Sequence, residues 1–170
     1  MRSAIKILFN AIKSLSLKKL IRMFSLALRY PHYSILGLYA TLRTYAITKR
    51  LFPKTNSTSG IGNAFRHALW TCLICMYCSK ISSSKKALSY AKIFTDMHEE
   101  LFPNKPLETK MDLHNNTVGL RLFEQMLPGI HRQFFETGFF VEKLLEKTKT
   151  AQILTSLSQE TSDELVYLVE

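Results

Sequence analysis

The chain has 170 residues, 46% hydrophobic and 21% charged, which places it among ordinary globular proteins of one domain that bury a core without disulfide or metal staples. No stretch of about 18 residues is free of charge, which excludes a transmembrane span. The net charge of +10 is lopsided: residues 1–95 hold 16 basic groups and no acid, and residues 96–170 hold 7 basic groups and all 13 acids.

A half-chain of +16 suits an anionic surface. An anionic membrane surface is the expected partner. Nucleic acid is less favoured, because basic motifs interleaved with aromatics are missing. The same excess serves solubility alone if the two halves pack together. Three cysteines, Cys72, Cys75 and Cys78, lie within seven residues. An odd count in a helical run argues against a disulfide framework and for a reducing compartment. The C-x2-C-x2-C spacing resembles part of an iron–sulfur ligand run but lacks the fourth Cys and the following Pro, so core packing is the reading.

In chain order, Met1–Arg29 reads as a basic amphipathic helix. Ile5, Leu8, Phe9, Ile12 and Leu15 follow helical spacing, and Leu17, Leu20, Ile21, Phe24 and Leu28 resume it slightly out of phase. Lys13 interrupts an already short apolar run, so no signal peptide is expected. Packing of this stripe on the core is favoured over its lying in a membrane interface. Tyr30-Pro31 breaks the helix, and a second runs Ser34–Leu51. Pro53–Gly62 is a loop, Asn63–Lys80 a third helix, and Ser84–Leu101 a fourth behind a Ser82–Ser84 turn and cap. Phe102–Lys110 is a second loop. A fifth helix covers Lys110–Leu127 and stops at Pro128-Gly129; a sixth covers Ile130–Lys149, with a break expected at Gly138. Asp163–Val169 is open between short helix and strand. The expected fold is all-α: a single-domain bundle of about six helices over residues 1–170. Within it, residues 1–52 are basic N-terminal helices, 60–127 a polar-studded core and 128–170 C-terminal helices. The expected location is cytoplasmic or membrane-peripheral.

Three polar clusters fall on segments that otherwise read as core: N63-A-F-R-H-A-L-W70, D96-M-H-E-E100 and M111-D-L-H-N-N-T-V-G119. Asn63, His67 and Trp70 share one stripe of the third helix, His98 one of the fourth, and Asp112, Asn116 and Gly119 one of the fifth. Buried polar groups must be satisfied by one another, by water or by a ligand. The functional reading is a metal site with His67, His98 and Asp112 as ligands, zinc favoured, and an open position for water. Glu99 would take the proton of that water. Asn63, Asn115 and Asn116 would orient ligands or polarise a substrate oxygen, and Arg66 would pair with a phosphate. Against this stand plain structural readings. Asn63 caps the third helix, Thr109 and Asp112 form a capping box, and Glu99 with Glu100 is an exposed face.

The joined pattern NAFRHALW, a helix ending in H-E, then MDLHNNxxG over residues 60–122 resembles a bacterial domain family of unknown function found as stand-alone proteins and as modules of secreted or toxin-like proteins. The resemblance marks Arg66, His67, Trp70, His98, Glu99, Asp112, Asn115, Asn116 and Gly119 as signature positions. It implies a shared site and names no reaction. This chain departs from the pattern in carrying Asn63 where an acid is as common, and Leu120 between Gly119 and Arg121. The expected function is a small hydrolase, metal-assisted, acting on a phosphoester or lipid-like substrate. The alternatives are a non-enzymatic membrane- or partner-binding module with a buried His/Asp/Asn network, and a nucleic-acid-binding protein or nuclease.

Overall fold

The computed structural model describes residue 10 and residues 12–169. The expected apolar positions Ile5, Leu8 and Phe9 of the N-terminal helix lie outside the described residues. Within them the chain forms six helices: α1 Leu17–Arg29, α2 Pro31–Leu51, α3 Ile61–Ile81, α4 Ser84–Leu101, α5 Pro106–Met126 and α6 Thr137–Thr148. Two short strands follow, β1 Gln152–Ile153 and β2 Val166–Tyr167, paired in parallel with Gln152 opposite Val166. Within Asp163–Val169 only Val166–Tyr167 is strand, and there is no helix. Among the described residues no helix is long and apolar enough to cross a membrane.

The helix α3 is the centre of the bundle, and its sequence explains why. From Ile61 to Ile81 the only charged residues are Arg66 and Lys80, so the helix is apolar on every side and must be surrounded. It packs against α2, α4, α5 and α6, and its buried residues run almost unbroken from Gly62 to Ser79. The tightest approach is to α5. A Cβ on Gly119 would stand 2.4 Å from the Ala68 carbonyl oxygen and 2.9 Å from Thr71 Cβ. Glycine is required there because the two backbones touch. The thiol of Cys72 spans the same contact, donating to Gly119 O at 3.2 Å.

Helix ends differ from the sequence expectation for identifiable reasons. Proline fixes φ and lacks an N–H, so it suits the first helical turn; α2 begins at Pro31 and α5 at Pro106, ahead of the expected Ser34 and Lys110. The Glu108 carboxylate accepts from the Lys105 N–H at 3.2 Å, so the capping acid of α5 is Glu108 and Asp112 is left free for another use. At α3 the N-cap is Gly60, and Asn63 lies inside the first turn. The segment expected to open the sixth helix, Ile130–Glu136, is turn. Arg132 and the Gln133 amide donate there to the Ser79 and Lys80 carbonyls at the C-terminus of α3, while Phe135 packs on Phe123 and Phe140. Gly138 falls in the first turn of α6 and causes no break.

Candidate functional site

One imidazole on α3 meets three polar side chains from α4 and α5. His67 Nδ1 lies 3.2 Å from Asn116 Oδ1 and 3.6 Å from Glu99 Oε1, and Nε2 lies 3.3 Å from Asp112 Oδ1. The Asn116 amide ties the group together: its Nδ2 donates to Glu99 Oε1 at 3.2 Å, so its oxygen is the acceptor facing His67 and the Thr71 hydroxyl, the latter at 3.3 Å. Asn104 donates to the other carboxylate oxygen, Asp112 Oδ2, at 3.0 Å. Asp112 Oδ1 is buried and has no hydrogen-bond partner among the described residues, although Nε2 is close. His67, Glu99, Asp112 and Asn116 are each no more than 5% exposed.

Burial sets the protonation states. Desolvation, aided by Arg66 and His98, holds His67 well below its ordinary range, so its contacts with carboxyls join a neutral imidazole to acids and are not ion pairs. Desolvation, then the neighbouring Asp112, lifts Glu99 to about 8, and desolvation lifts Asp112 to about 6. With its Nδ1–H donated to Asn116, His67 leaves Nε2 as an acceptor beside an oxygen that has no hydrogen-bond partner among the described residues. Two acceptor atoms 3.3 Å apart call for a proton or a cation between them. One ligand atom each from His67, Glu99 and Asp112 lies within 4.8 Å of the others. Two ligands of a tetrahedral zinc with bonds of about 2.0–2.1 Å stand about 3.3 Å apart, the spacing of His67 Nε2 and Asp112 Oδ1.

His98, expected as the second imidazole ligand, does not belong to this group. Its ring packs on Trp70 at 5.0 Å and Phe102 at 5.1 Å between centroids, and stands 6.4 Å from that of His67. Its neighbour Glu99, buried and not on an exposed face, reaches the cluster in its place; Glu100 is the outward one and pairs with Arg22.

His98 instead borders a cavity of about 220 Å³ whose wall includes Thr41, Thr44, Arg66, His67 and Trp70. Burial and the nearby Arg66 hold His98 at about 4, so it is a neutral imidazole at physiological pH. Arg66 is steadied by the Asn56 carbonyl and by Asn63 Oδ1, the latter at 2.5 Å. These contacts fix the Pro53–Gly60 loop over the start of α3. Thr41 accepts from the Trp70 indole at 2.8 Å, and Thr44 Oγ1 is buried with no hydrogen-bond partner among the described residues. Sequence reading missed α2 as a wall of the site. The available signal was the spacing of Thr41, Thr44 and Thr48 on one face of a largely apolar helix.

Residues 24–152 match a family described as a domain of unknown function (DUF6973). The chain belongs to this family. No curated protein and no solved structure matches it. The matched span of the DUF6973 domain contains the whole His67, Glu99, Asp112 and Asn116 cluster and every wall of the cavity.

Beyond that span the end of the chain is held by side chains of α5. Asn115, expected as a catalytic amide, spends both ends on one backbone: Nδ2 donates to Val166 O at 2.8 Å and Oδ1 accepts from Val166 N at 3.0 Å. Fully buried and bonded through both amide ends, it docks β2. His114 lies 2.8 Å from Glu164 O through Nε2, and Arg121 pairs at the surface with Asp163. Residues 114, 115 and 121 of the DUF6973 domain thus serve the C-terminal segment, and Asn116 serves the site. The three cysteines are free and buried, and burial raises each thiol far above its usual range, so they behave as inert core residues.

Proposed function

We propose that this DUF6973 domain is a small helical hydrolase in which His67, Glu99 and Asp112 hold a divalent ion, zinc favoured, beside a cavity that takes a phosphoester or lipid-like substrate. The observation that carries the reading is the contact of His67 Nε2 at 3.3 Å with Asp112 Oδ1, a buried oxygen with no hydrogen-bond partner among the described residues. A bound divalent ion brings the pKa of a coordinated water down to about 7 and polarises a phosphoryl or carbonyl oxygen. Asn116 fixes the His67 ring through Nδ1 and steers Glu99, the positioning that metal ligands require. In the hydrolysis, water oxygen bonds to phosphorus or acyl carbon, the ester bond to the leaving oxygen breaks, and that oxygen takes up a proton. Arg66 supports an anionic substrate group, because a guanidinium with N–H groups beyond those given to Asn56 and Asn63 pairs well with phosphate. Trp70 and Tyr45 supply apolar wall for an acyl or alkyl portion. Neutral His98 borders the same space and can hydrogen-bond a substrate group there.

A second reading has its own observation. The Asn116 amide already satisfies His67, Thr71 and Glu99, so the cluster also serves as a buried polar network that fixes helix packing without chemistry. Hydrolysis of p-nitrophenyl phosphate esters and p-nitrophenyl acyl esters of rising chain length, by protein loaded with zinc, separates the two. The hydrolase reading expects turnover that chelation abolishes and zinc restores, with Arg66→Ala impaired on the phosphate esters more than on the acyl esters. Zinc-loaded protein inert towards both classes supports the network.

A further inference from the structure

The first helix has two apolar faces, and only one is used. Leu20, Met23 and Leu26 turn inward and pack with Leu15, Met97 and Leu101. Leu17, Ile21, Phe24 and Leu28, at i, i+4, i+7 and i+11, form a separate stripe about 60° wide on the outer side, adjoining the inward face, and they are 74%, 61%, 59% and 82% exposed. Four large apolar side chains in line on one helix are not the scattered exposure of an ordinary surface. One step round the helix, about 100° on, stand Lys18, Arg22, Ser25 and Arg29, all exposed.

We infer that the outer face of α1 docks on an anionic lipid surface, with Leu17, Ile21, Phe24 and Leu28 inserted among the acyl chains and the adjoining basic side chains at headgroup level. Charge complementarity decides the occupant. No carboxylate precedes Asp96 in the sequence, and Glu100, which reaches this helix, is already paired with Arg22. One residue beyond Leu28 the stripe runs into an open cleft whose wall includes Arg29, His32, Lys85 and Lys86 and no acid. A helix with an apolar stripe, a basic flank and no charge in the stripe is suited to lie in the plane of a membrane interface. Its inward face keeps it fixed to the bundle, so the domain would bind as a folded body and not by peeling the helix away. This inference is independent of whether the His67 cluster holds a metal.

Co-sedimentation of the full chain with phosphatidylglycerol/phosphatidylcholine vesicles, and with phosphatidylcholine alone, tests it. Expected are binding to the anionic vesicles at low salt, a fall of tenfold or more in affinity at 0.5 M salt, and at least tenfold weaker partitioning to neutral vesicles. The variant Ile21→Ser, Phe24→Ser, Leu28→Ser should lose binding tenfold or more with an unchanged melting temperature. Leu28→Asp alone, at the most exposed position, should lose several-fold and guards against misfolding of the triple variant. Lys85→Glu with Lys86→Glu should weaken binding to anionic vesicles selectively. The inference is overturned by no binding at low salt, by equal binding to neutral vesicles, or by binding that survives Leu28→Asp and the triple change. It is also overturned if the wild type is a dimer in solution that the same substitutions convert to monomer, since the stripe then faces a second copy of the chain.

Discussion

Asn115 and Asn116 are consecutive residues of α5 whose amides serve different sides of the helix: Asn115 clasps the Val166 backbone, and Asn116 bridges His67 and Glu99. The 100° step between neighbours in a helix makes this division possible. Asn115→Ala leaves a buried N–H and C=O of Val166 unpaired, a loss of about 1–3 kcal/mol each at most, so denaturant unfolding should show about 2–4 kcal/mol of destabilisation. Metal content should not change. Asn116→Ala should cost metal affinity on the order of 10–100-fold, the usual effect of removing a partner that orients a ligand.

Gly119 should not tolerate any side chain. Its Cβ would meet the Ala68 carbonyl at 2.4 Å, and neither backbone can yield without separating α3 from α5. Gly119→Ala should destabilise by about 2–3 kcal/mol despite the better helix propensity of alanine, measured by urea unfolding. The same displacement should weaken metal binding, because Asp112 and Asn116 ride on α5.

Stability of metal-free protein should fall as pH rises from about 6.5 to about 8. Glu99, raised by burial and by Asp112 from 4.5 to about 8, keeps a proton in the folded state that the unfolded chain releases, so its contribution is lost as pH rises through the folded value. Asp112 acts in the same direction but completes its change at about 6. His67 and His98 are depressed from 6.5 and act in the opposite sense, losing stability only as pH falls below that value. In the upper window Glu99 therefore stands alone among them. Thermal melts across pH 6.5–8 should slope downward for the metal-free wild type and flatten in Glu99→Gln. Saturating zinc should reverse the slope, since metal displaces the Glu99 proton and binds more tightly as pH rises.

How much of this was legible depended on the length of the pattern involved. The acid-free run of α3 and the 3.6-residue spacing of His67, Asp112 and Asn116 are long-range regularities, and they identify a surrounded helix with polar groups aimed at its neighbours. His98 and Glu99 could not be told apart in the same way. Both lie on protein-facing sides of α4, and the apolar stripe Ala87, Ala91, Phe94 selects His98, while the cluster is reached by the neighbouring Glu99. The role of Asn115 was invisible because its partner is a two-residue strand, too short to leave a periodic signature. The helices begin at Pro31 and Pro106, ahead of the expected starts, because a proline that breaks one helix or sits in a loop also suits the first turn of the next helix. In α1 two apolar faces, inward and outward, overlap in sequence as one stripe slightly out of phase, and only packing separates Leu20 from Ile21.

The most direct measurement is the divalent metal content of the purified protein, by elemental analysis, after dialysis against zinc and then against buffer. About one zinc per chain is expected in the wild type and in His98→Ala, and near-complete loss in His67→Ala, Asp112→Asn and Glu99→Gln, each folded by circular dichroism. Wild-type protein that retains no metal and melts at the same temperature with and without zinc would contradict this expectation, as would a zinc site lost in His98→Ala and kept in Glu99→Gln.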